Sequence, residues 1–424
     1  MASRAGIVVT GTEVLTGRVP DRNGPWLAEQ LRIVGVDTAE VIVVGDRPDD
    51  LRWSLRALAD QGLDLLITTG GLGPTADDLT AEIVGEVQGR PSFVDAELER
   101  QIGAIVARLS AERGWQLDAA ATADSVRKQA LVPAGASVLS PVGTAPGLVV
   151  PIADDRTGPP VVVLPGPPPE LQAMWPLVLA DATVQSALAG RSELAQQTLR
   201  LWGTSESEIA ATLRELGTRL DGLEITTCLR DGELEIVTRF GPSAQDRYDS
   251  FAAAIGERYP KTLFSTDGRT VDDLVADRLI EKNLTIATAE SCTAGMLAAR
   301  LTDRAGSSAY LLGGLVVYSN AAKQELAGVS KDLLDQVGAV STEVAVALAE
   351  GARDRLHADL GVGITGIAGP GGATPGKPIG LVHLCVSGKG RTMSRRILVP
   401  GSRAAVRTRS TVAALHLIRQ LLTE

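Results

Sequence analysis

Short apolar, β-branched runs alternate with amphipathic segments along the first part of the chain, and this pattern constrains the fold more than any other feature. "AGIVVT" gives way to a helical "NGPWLAEQLRIVG", followed by "TAEVIVVG", "DDLRWSLRALADQG" and "DLLITTGG". Strands of that composition separated by single helices predict βαβ units and a parallel sheet. The pattern stops near "VVVLPGPPPEL", where a proline cluster ends strand and helix alike. A second α/β succession starts after "YPKTLFSTDGRT". It predicts a helix over 271–283, the strand "LTIAT", a helix over 293–304 and the strand "YLLGGLVVYS". An Ala-rich helix over 342–357, strands near 360–365, 379–387 and 393–399, and a helix over 402–422 complete it. Between the two lies a smaller α+β piece with a helical "ESEIAATLREL" and the segment "LEITTCLRDGELEIVTRF", in which Asp231-Gly232 signals a hairpin. At 424 residues the chain is too long for one ordinary core. The expected domains are 1–170, 171–262 and 268–424, with no internal repeat.

Lys and Arg number 41 against 51 Asp and Glu, a net charge of −10. A non-specific nucleic-acid binder would carry a prominent basic face, so nucleic acid is not an expected partner. No apolar stretch is long enough to span a bilayer. The N-terminal "MASRAGIVVTGTE" has no signal-peptide core, so the expected location is the cytoplasm. Cys228, Cys292 and Cys385 are far apart and outside CxxC spacing, which argues against disulfides and a zinc site. Three histidines are too few for a His-based metal cluster.

Two loops fall at predicted strand ends, where open α/β sheets bind their ligands. One is "GTEVLTGRVPDRN" (11–23) and the other "TTGGLGPTADDLT" (68–80). Glycines at such a turn let backbone amides approach a phosphate, and paired carboxylates such as Asp77-Asp78 can hold Mg²⁺ against a diphosphate, with Glu13 completing the site. The alternative is an ordinary βα turn in which Asp77 or Asp78 caps the next helix. "GTEVLTG", "TTGGLGPTADDLT", "PVGTAPG" (141–147) and "LPGPPPEL" (164–171), in that order, resemble the molybdopterin-binding-like domain of the CinA family over residues 1–170. The resemblance implies divalent-metal-dependent hydrolysis of ADP-ribose to AMP and ribose 5-phosphate, with Mg²⁺ or a transition metal. It gives metal roles to Glu13, Asp77 and Asp78 and substrate contacts to Gly70, Gly71 and Gly73; Asp21 and Asn23 match the family's polar loop. Related domains use the same fold to bind a pterin, so the fold does not fix the reaction.

In the second α/β piece the turn "TAESCTAG" (288–295) joins a strand end to a helix start, a natural anion site. It carries Glu290, Ser291 and Cys292 together. A Cys nucleophile wants a His base, and neither His357, His383 nor His416 is tied to the turn by a motif. The commoner fate of such a Cys is burial as a small hydrophobe. Ser291 could instead be activated by a lysine whose pKa is lowered. The candidate is Lys323 in "VVYSNAAK", with Tyr318 at the strand end to orient or relay and Asn320 as helix cap. Glu290 either pairs with Lys323 or caps the turn.

"AESCTAG", "VVYSNAAK", "GITGIAGPGGATPGKPIG" (363–380) and "PGSRAAVR" (400–407) resemble the CinA C-terminal domain, which includes nicotinamide mononucleotide deamidases, over 268–424. The resemblance implies hydrolysis of the nicotinamide carboxamide to nicotinic acid mononucleotide and ammonia without a cofactor. By position Ser291 is the nucleophile, Lys323 the base and Tyr318 an assistant, and Arg403 contacts the substrate phosphate or ribose. Thr293 and the Gly366–Gly372 loop would line the cavity. Two residues depart from the family pattern. Ala294 stands where a glycine is usual, a strain of roughly 1 kcal/mol if φ is positive there. Ser402 replaces an aspartate beside Arg403. The middle piece resembles the family's linking module and is expected to space the domains and make dimer contacts, the assembly being a homodimer. The whole is thus expected to be α/β: a three-layer molybdopterin-binding-like domain, a small α+β module and an α/β CinA-type domain. A competence- or damage-linked scaffold protein is the contrasting reading.

Overall fold

The first strand, β1 (Arg4–Thr10), is buried along nearly its whole length because helices cover both faces of its sheet. Ile7 and Val9 point to one side, against Leu27 and Leu31 of helix Asn23–Ile33 and Met174 and Trp175 of helix Pro168–Ala180. Val8 points to the other, against Leu51, Leu55 and Leu58 of helix Pro48–Ala59 and Ile83 and Val84 of helix Thr80–Gln88. Truncating a side chain buried in such a layer, such as Ile7→Ala, costs about 2–5 kcal/mol.

The structure, a computed structural model, describes residues 3–115, 118–191 and 194–423. It forms two compact units, Met1–Ala195 and Gln196–Glu424.

In the first unit β2 (Asp37–Val44) and β3 (Leu65–Thr69) flank β1 in parallel. A short ribbon pairs β4 (Ser92–Val94) with β5 (Leu131–Pro133). The main sheet continues through β6 (Ser137–Leu139), β7 (Gly147–Val150) and β8 (Val161–Leu164) in the order β2-β1-β3-β8-β7-β6. The expected parallel sheet is present in β2, β1, β3 and β8, and β6 and β7 add antiparallel strands that make the whole mixed.

The second unit starts with the sheet β10-β11-β9-β12, formed by β9 (Ala195–Trp202), β10 (Leu223–Arg230), β11 (Glu233–Phe240) and β12 (Leu263–Ser265). Asp231 and Gly232 make the predicted hairpin turn, with φ 54° and 92°, the left-handed pair that a tight turn between twisted strands needs. The other sheet has the order β14-β13-β15-β16-β17 and comprises β13 (Ile286–Glu290), β14 (Leu311–Val316), β15 (Leu360–Gly366), β16 (Leu381–Gly388) and β17 (Arg391–Leu398). Helices Val271–Glu281 and Arg403–Thr423 cover one face and helix Thr342–Leu356 the other. Gly363 lets that last helix lie directly on β15, since a Cβ there would stand 2.1 Å from the Ala345 carbonyl oxygen. The two sheets of this unit are joined through buried His416, which bonds Glu233 at 2.6 Å and stacks on Trp202. Among the described residues no helix is long and apolar enough to cross a membrane.

Two candidate active sites

Each unit has a cavity at the carboxyl ends of its parallel strands, where the turns leave the sheet. In the first, the loops after β1, β3 and β8 enclose about 660 Å³. Glu13, Asp21, Asn23, Gly70, Gly71, Gly73, Asp77 and Asp78 all line it. Gly70, at φ 100°, passes so close to β1 that a Cβ would stand 2.4 Å from the Thr10 carbonyl oxygen. At Gly73 a Cβ would meet Asp78 Oδ2 at 2.4 Å. Neither aspartate caps the next helix: the cap position is Leu79, with no side-chain bond. Instead the Thr75 hydroxyl lies 2.5 Å from both Asp77 Oδ1 and Asp78 Oδ2, and the Thr75 N–H donates to Asp78 Oδ2 at 2.9 Å. The hydroxyl bond holds the Asp77 carboxyl below the ordinary carboxylate pKa.

Glu13 does not complete a three-carboxylate group with this pair: among the described residues no three Asp, Glu, His or Cys side chains converge closely enough to hold a metal. The pair alone suits a cation bound through one or two carboxylates and completed by phosphate oxygens and water, the usual mode of Mg²⁺. Asp21 accepts the N–H groups of Asn23 and Gly24 at 2.9 and 3.0 Å and so fixes a helix start. Asn23 donates to Thr69 and Gly166, tying the loops together.

In the second unit β13 and β15 end beside each other, and the turns after them frame a cavity of about 250 Å³. Ser291, Cys292, Tyr318, Asn320, Lys323, Gly366 and Arg403 line it. Lys323 is 2 % exposed, and its Nζ lies 3.0 Å from Ser291 Oγ, 3.0 Å from the Val317 carbonyl oxygen and 3.3 Å from that of Tyr318. Burial lowers its pKa. A neutral amine has two N–H bonds and one lone pair. With the two carbonyls taking the N–H bonds, the lone pair is left for the Ser291 hydroxyl.

Cys292 is buried, and desolvation pushes its thiol up to about 11, so no thiolate is available near neutral pH. No histidine lines the cavity. His357 ends a helix at φ 54° and His383 bonds Thr342, while His416 belongs to the junction described above.

Glu290 does not pair with Lys323. It is 0 % exposed and accepts from Gly295, Leu297 and Ala298 N–H at 3.1, 3.0 and 2.9 Å and from the Thr288 hydroxyl at 3.1 Å. The chain's own carboxylate thus fills the anion site expected at this helix start. Ala294 has φ 51°, so the strain foreseen there is present. Arg407, given no role from sequence, grips this turn from helix Arg403–Thr423 by donating to the Cys292 and Thr293 carbonyls at 3.1 and 3.0 Å. Its signal was legible, four residues after Arg403 on the same helical face.

Other expectations change. Thr293 does not line the cavity: it is fully buried, with its hydroxyl unpartnered. Ser319, whose side chain accepts the Ala322 N–H, is the helix cap, and Asn320 is the first helical residue. Tyr318 lies two residues beyond β14; its carbonyl orients Lys323 while its hydroxyl, on a side chain 59 % exposed, bonds Arg403 at 3.0 Å. Arg403 also donates to the Gly369 carbonyl at 3.0 Å, so it is held without the aspartate that Ser402 replaces; Ser402 accepts the Ala405 N–H.

Comparison with known proteins follows the same division. Residues 6–184 match the model of a probable molybdopterin binding domain, and residues 268–422 that of the CinA C-terminal domain. A CinA-like protein of Mycolicibacterium vanbaalenii is 55 % identical over 427 residues, covering 100 % of this chain and 99 % of its own. One from Mycobacterium tuberculosis is 50 % identical over 431 residues, with 100 % and 98 % covered. Among solved structures, a competence/damage inducible protein from Agrobacterium tumefaciens is 36 % identical and covers 38 % of this chain and 100 % of its own, with a TM-score of 0.35.

Proposed function

The chain belongs to the CinA family, and on that footing we propose that it is a two-site nucleotide hydrolase. The second cavity deamidates nicotinamide mononucleotide, and the first hydrolyses ADP-ribose with a divalent metal. The observation that carries the deamidase reading is buried Lys323 set 3.0 Å from Ser291. Lys323 takes the hydroxyl proton as Ser291 Oγ bonds to the carboxamide carbon, then passes it to the departing nitrogen as the C–N bond breaks. Water then gives a proton to Lys323 as its oxygen bonds to the acyl carbon, and Lys323 returns that proton to Ser291 Oγ as the ester C–O bond breaks and the acid leaves. Arg403, exposed at the cavity edge, offers its fork to the phosphate. Tyr318 holds both arginine and lysine in position.

For the first cavity, support comes from its charge: among the described residues Glu13, Asp21, Asp46, Asp77, Asp78 and Glu170 line it with Arg22, and Lys128 reaches the Thr75 carbonyl beside Asp77. A diphosphate would enter such a cavity only with cations to offset the carboxylates. Asp77 and Asp78 would hold the metal, which supplies charge neutralisation at the phosphates. The test is to give the purified full chain each nucleotide with and without divalent metal. Expected are metal-independent ammonia release from nicotinamide mononucleotide and metal-dependent AMP release from ADP-ribose. Full ADP-ribose turnover in EDTA, or no ammonia, would overturn the corresponding half.

A further inference from the structure

The six carboxylates around the first cavity differ in what surrounds them. Asp21 accepts two backbone N–H bonds, Asp46 accepts that of Thr12 at 2.9 Å, and Asp77 and Asp78 are held by Thr75. At Asp77 the Thr75 hydroxyl bond lowers the pKa and makes the carboxylate a weaker proton acceptor. Glu13 is exposed. Glu170 shares none of these conditions. It sits in the first turn of helix Pro168–Ala180, half-buried, with no hydrogen-bond or ion-pair partner among the described residues. Its carboxyl lies against the backbone of Gly143, where a Cβ would come within 2.3 Å of Oε1. Burial alone raises its pKa, with no charged side chain contributing. Glu13 and Glu170 are the two cavity carboxylates without a hydrogen-bond or ion-pair partner among the described residues, and of these Glu170 is the one half-buried and made more basic.

We infer that Glu170 is the general base of the first cavity, taking the proton of the water that attacks a bound diphosphate. The inference rests on the proposed ADP-ribose hydrolysis. The water oxygen forms a bond to one phosphorus as the bond from that phosphorus to the bridging oxygen breaks. The bridging oxygen leaves with the electron pair on the departing phosphate, and the proton on Glu170 passes to it or to solvent. Gly143 has a part in this, because only a residue without a side chain leaves room for the carboxyl.

The test uses the full chain, ADP-ribose and Mn²⁺. Glu170→Gln keeps the shape and removes the proton acceptor, so kcat should fall about 100-fold or more. KM and Mn²⁺ affinity, read from the free-ion resonance signal, should stay within about threefold, because Asp77 and Asp78 are untouched. The acid limb of the wild-type kcat/KM profile should vanish in this variant. Gly143→Ala should displace the carboxyl and lower kcat about tenfold while adding no titrating group. If Glu170→Gln misfolds, Gly143→Ala and Glu170→Asp decide in its place. A folded Glu170→Gln enzyme within threefold of wild-type kcat overturns the assignment alone. A wild-type chain that cleaves no ADP-ribose with any divalent metal overturns the proposed hydrolysis, and the base with it.

Discussion

Glu290→Gln isolates the carboxylate that holds the nucleophile turn. Its Oε2 accepts from Gly295 and Leu297, and its Oε1 from Ala298 and the Thr288 hydroxyl. A glutamine would keep two backbone donors by placing its amide oxygen at Oε2. Its NH₂ would then face the Ala298 N–H, while the Thr288 hydroxyl could turn to accept. One buried N–H loses its acceptor, costing about 1–3 kcal/mol. Loss of the negative charge at a helix start costs about 0.3–1 kcal/mol more, and the surviving bonds weaken because they are no longer charge-assisted. Relief from burying a charge offsets part of this, leaving a net of about 3 kcal/mol. Hydrogen exchange on the full chain, followed by mass spectrometry over residues 290–300, reads that loss directly. Protection at the three amides should drop about 100-fold, at 1.4 kcal/mol per decade. Deamidation should fall too, since Ser291 adjoins Glu290. Protection unchanged within threefold would refute the reasoning, because some other contact would then be holding the turn.

Ser291→Ala and Lys323→Ala should each lower deamidase kcat roughly a thousandfold, with the double variant little worse, whereas Cys292→Ser should cost less than about tenfold; a dead Cys292→Ser enzyme beside an active Ser291→Ala one would reverse the assignment. The deamidation rate should rise with pH through an apparent pKa below lysine's ordinary 10.5, because burial favours the neutral amine. In the window between that lowered value and 10.5 the unfolded chain binds more protons at Lys323 than the folded one does. Stability at this residue should therefore increase with pH there, and Lys323→Met should abolish the increase in urea titrations. Arg407→Met should lower kcat about tenfold or more with KM nearly unchanged, since Arg407 grips the turn, while Arg403→Met should act mainly on KM; the reverse split would exchange their roles.

The sequence determined the α/β character of both main pieces, because strands buried on two faces must be continuously apolar and the helices between them amphipathic. It determined the Asp231-Gly232 hairpin, since left-handed backbone at both turn positions favours those residue types. It also supplied the motifs whose residues meet in the two cavities. It did not give β6 and β7, whose three and four residues are too few to show a period. The tertiary structure decided the roles of groups whose chemistry depends on their neighbours. Glu290 could have paired with Lys323 or capped the turn, and the distances put it on three backbone N–H groups. Asp77 and Asp78 proved not to be helix caps. Thr293, expected at the cavity, turned inward. The i,i+4 spacing put Arg407 on the face of Arg403, but only packing shows that it reaches two carbonyls on a distant turn, or that Glu170 is half-buried without a partner among the described residues. Periodicity reports which face of an element is apolar. Hydrogen-bond partners and desolvation, which set the pKa values and hence the chemistry, arise only when segments far apart in sequence are packed together.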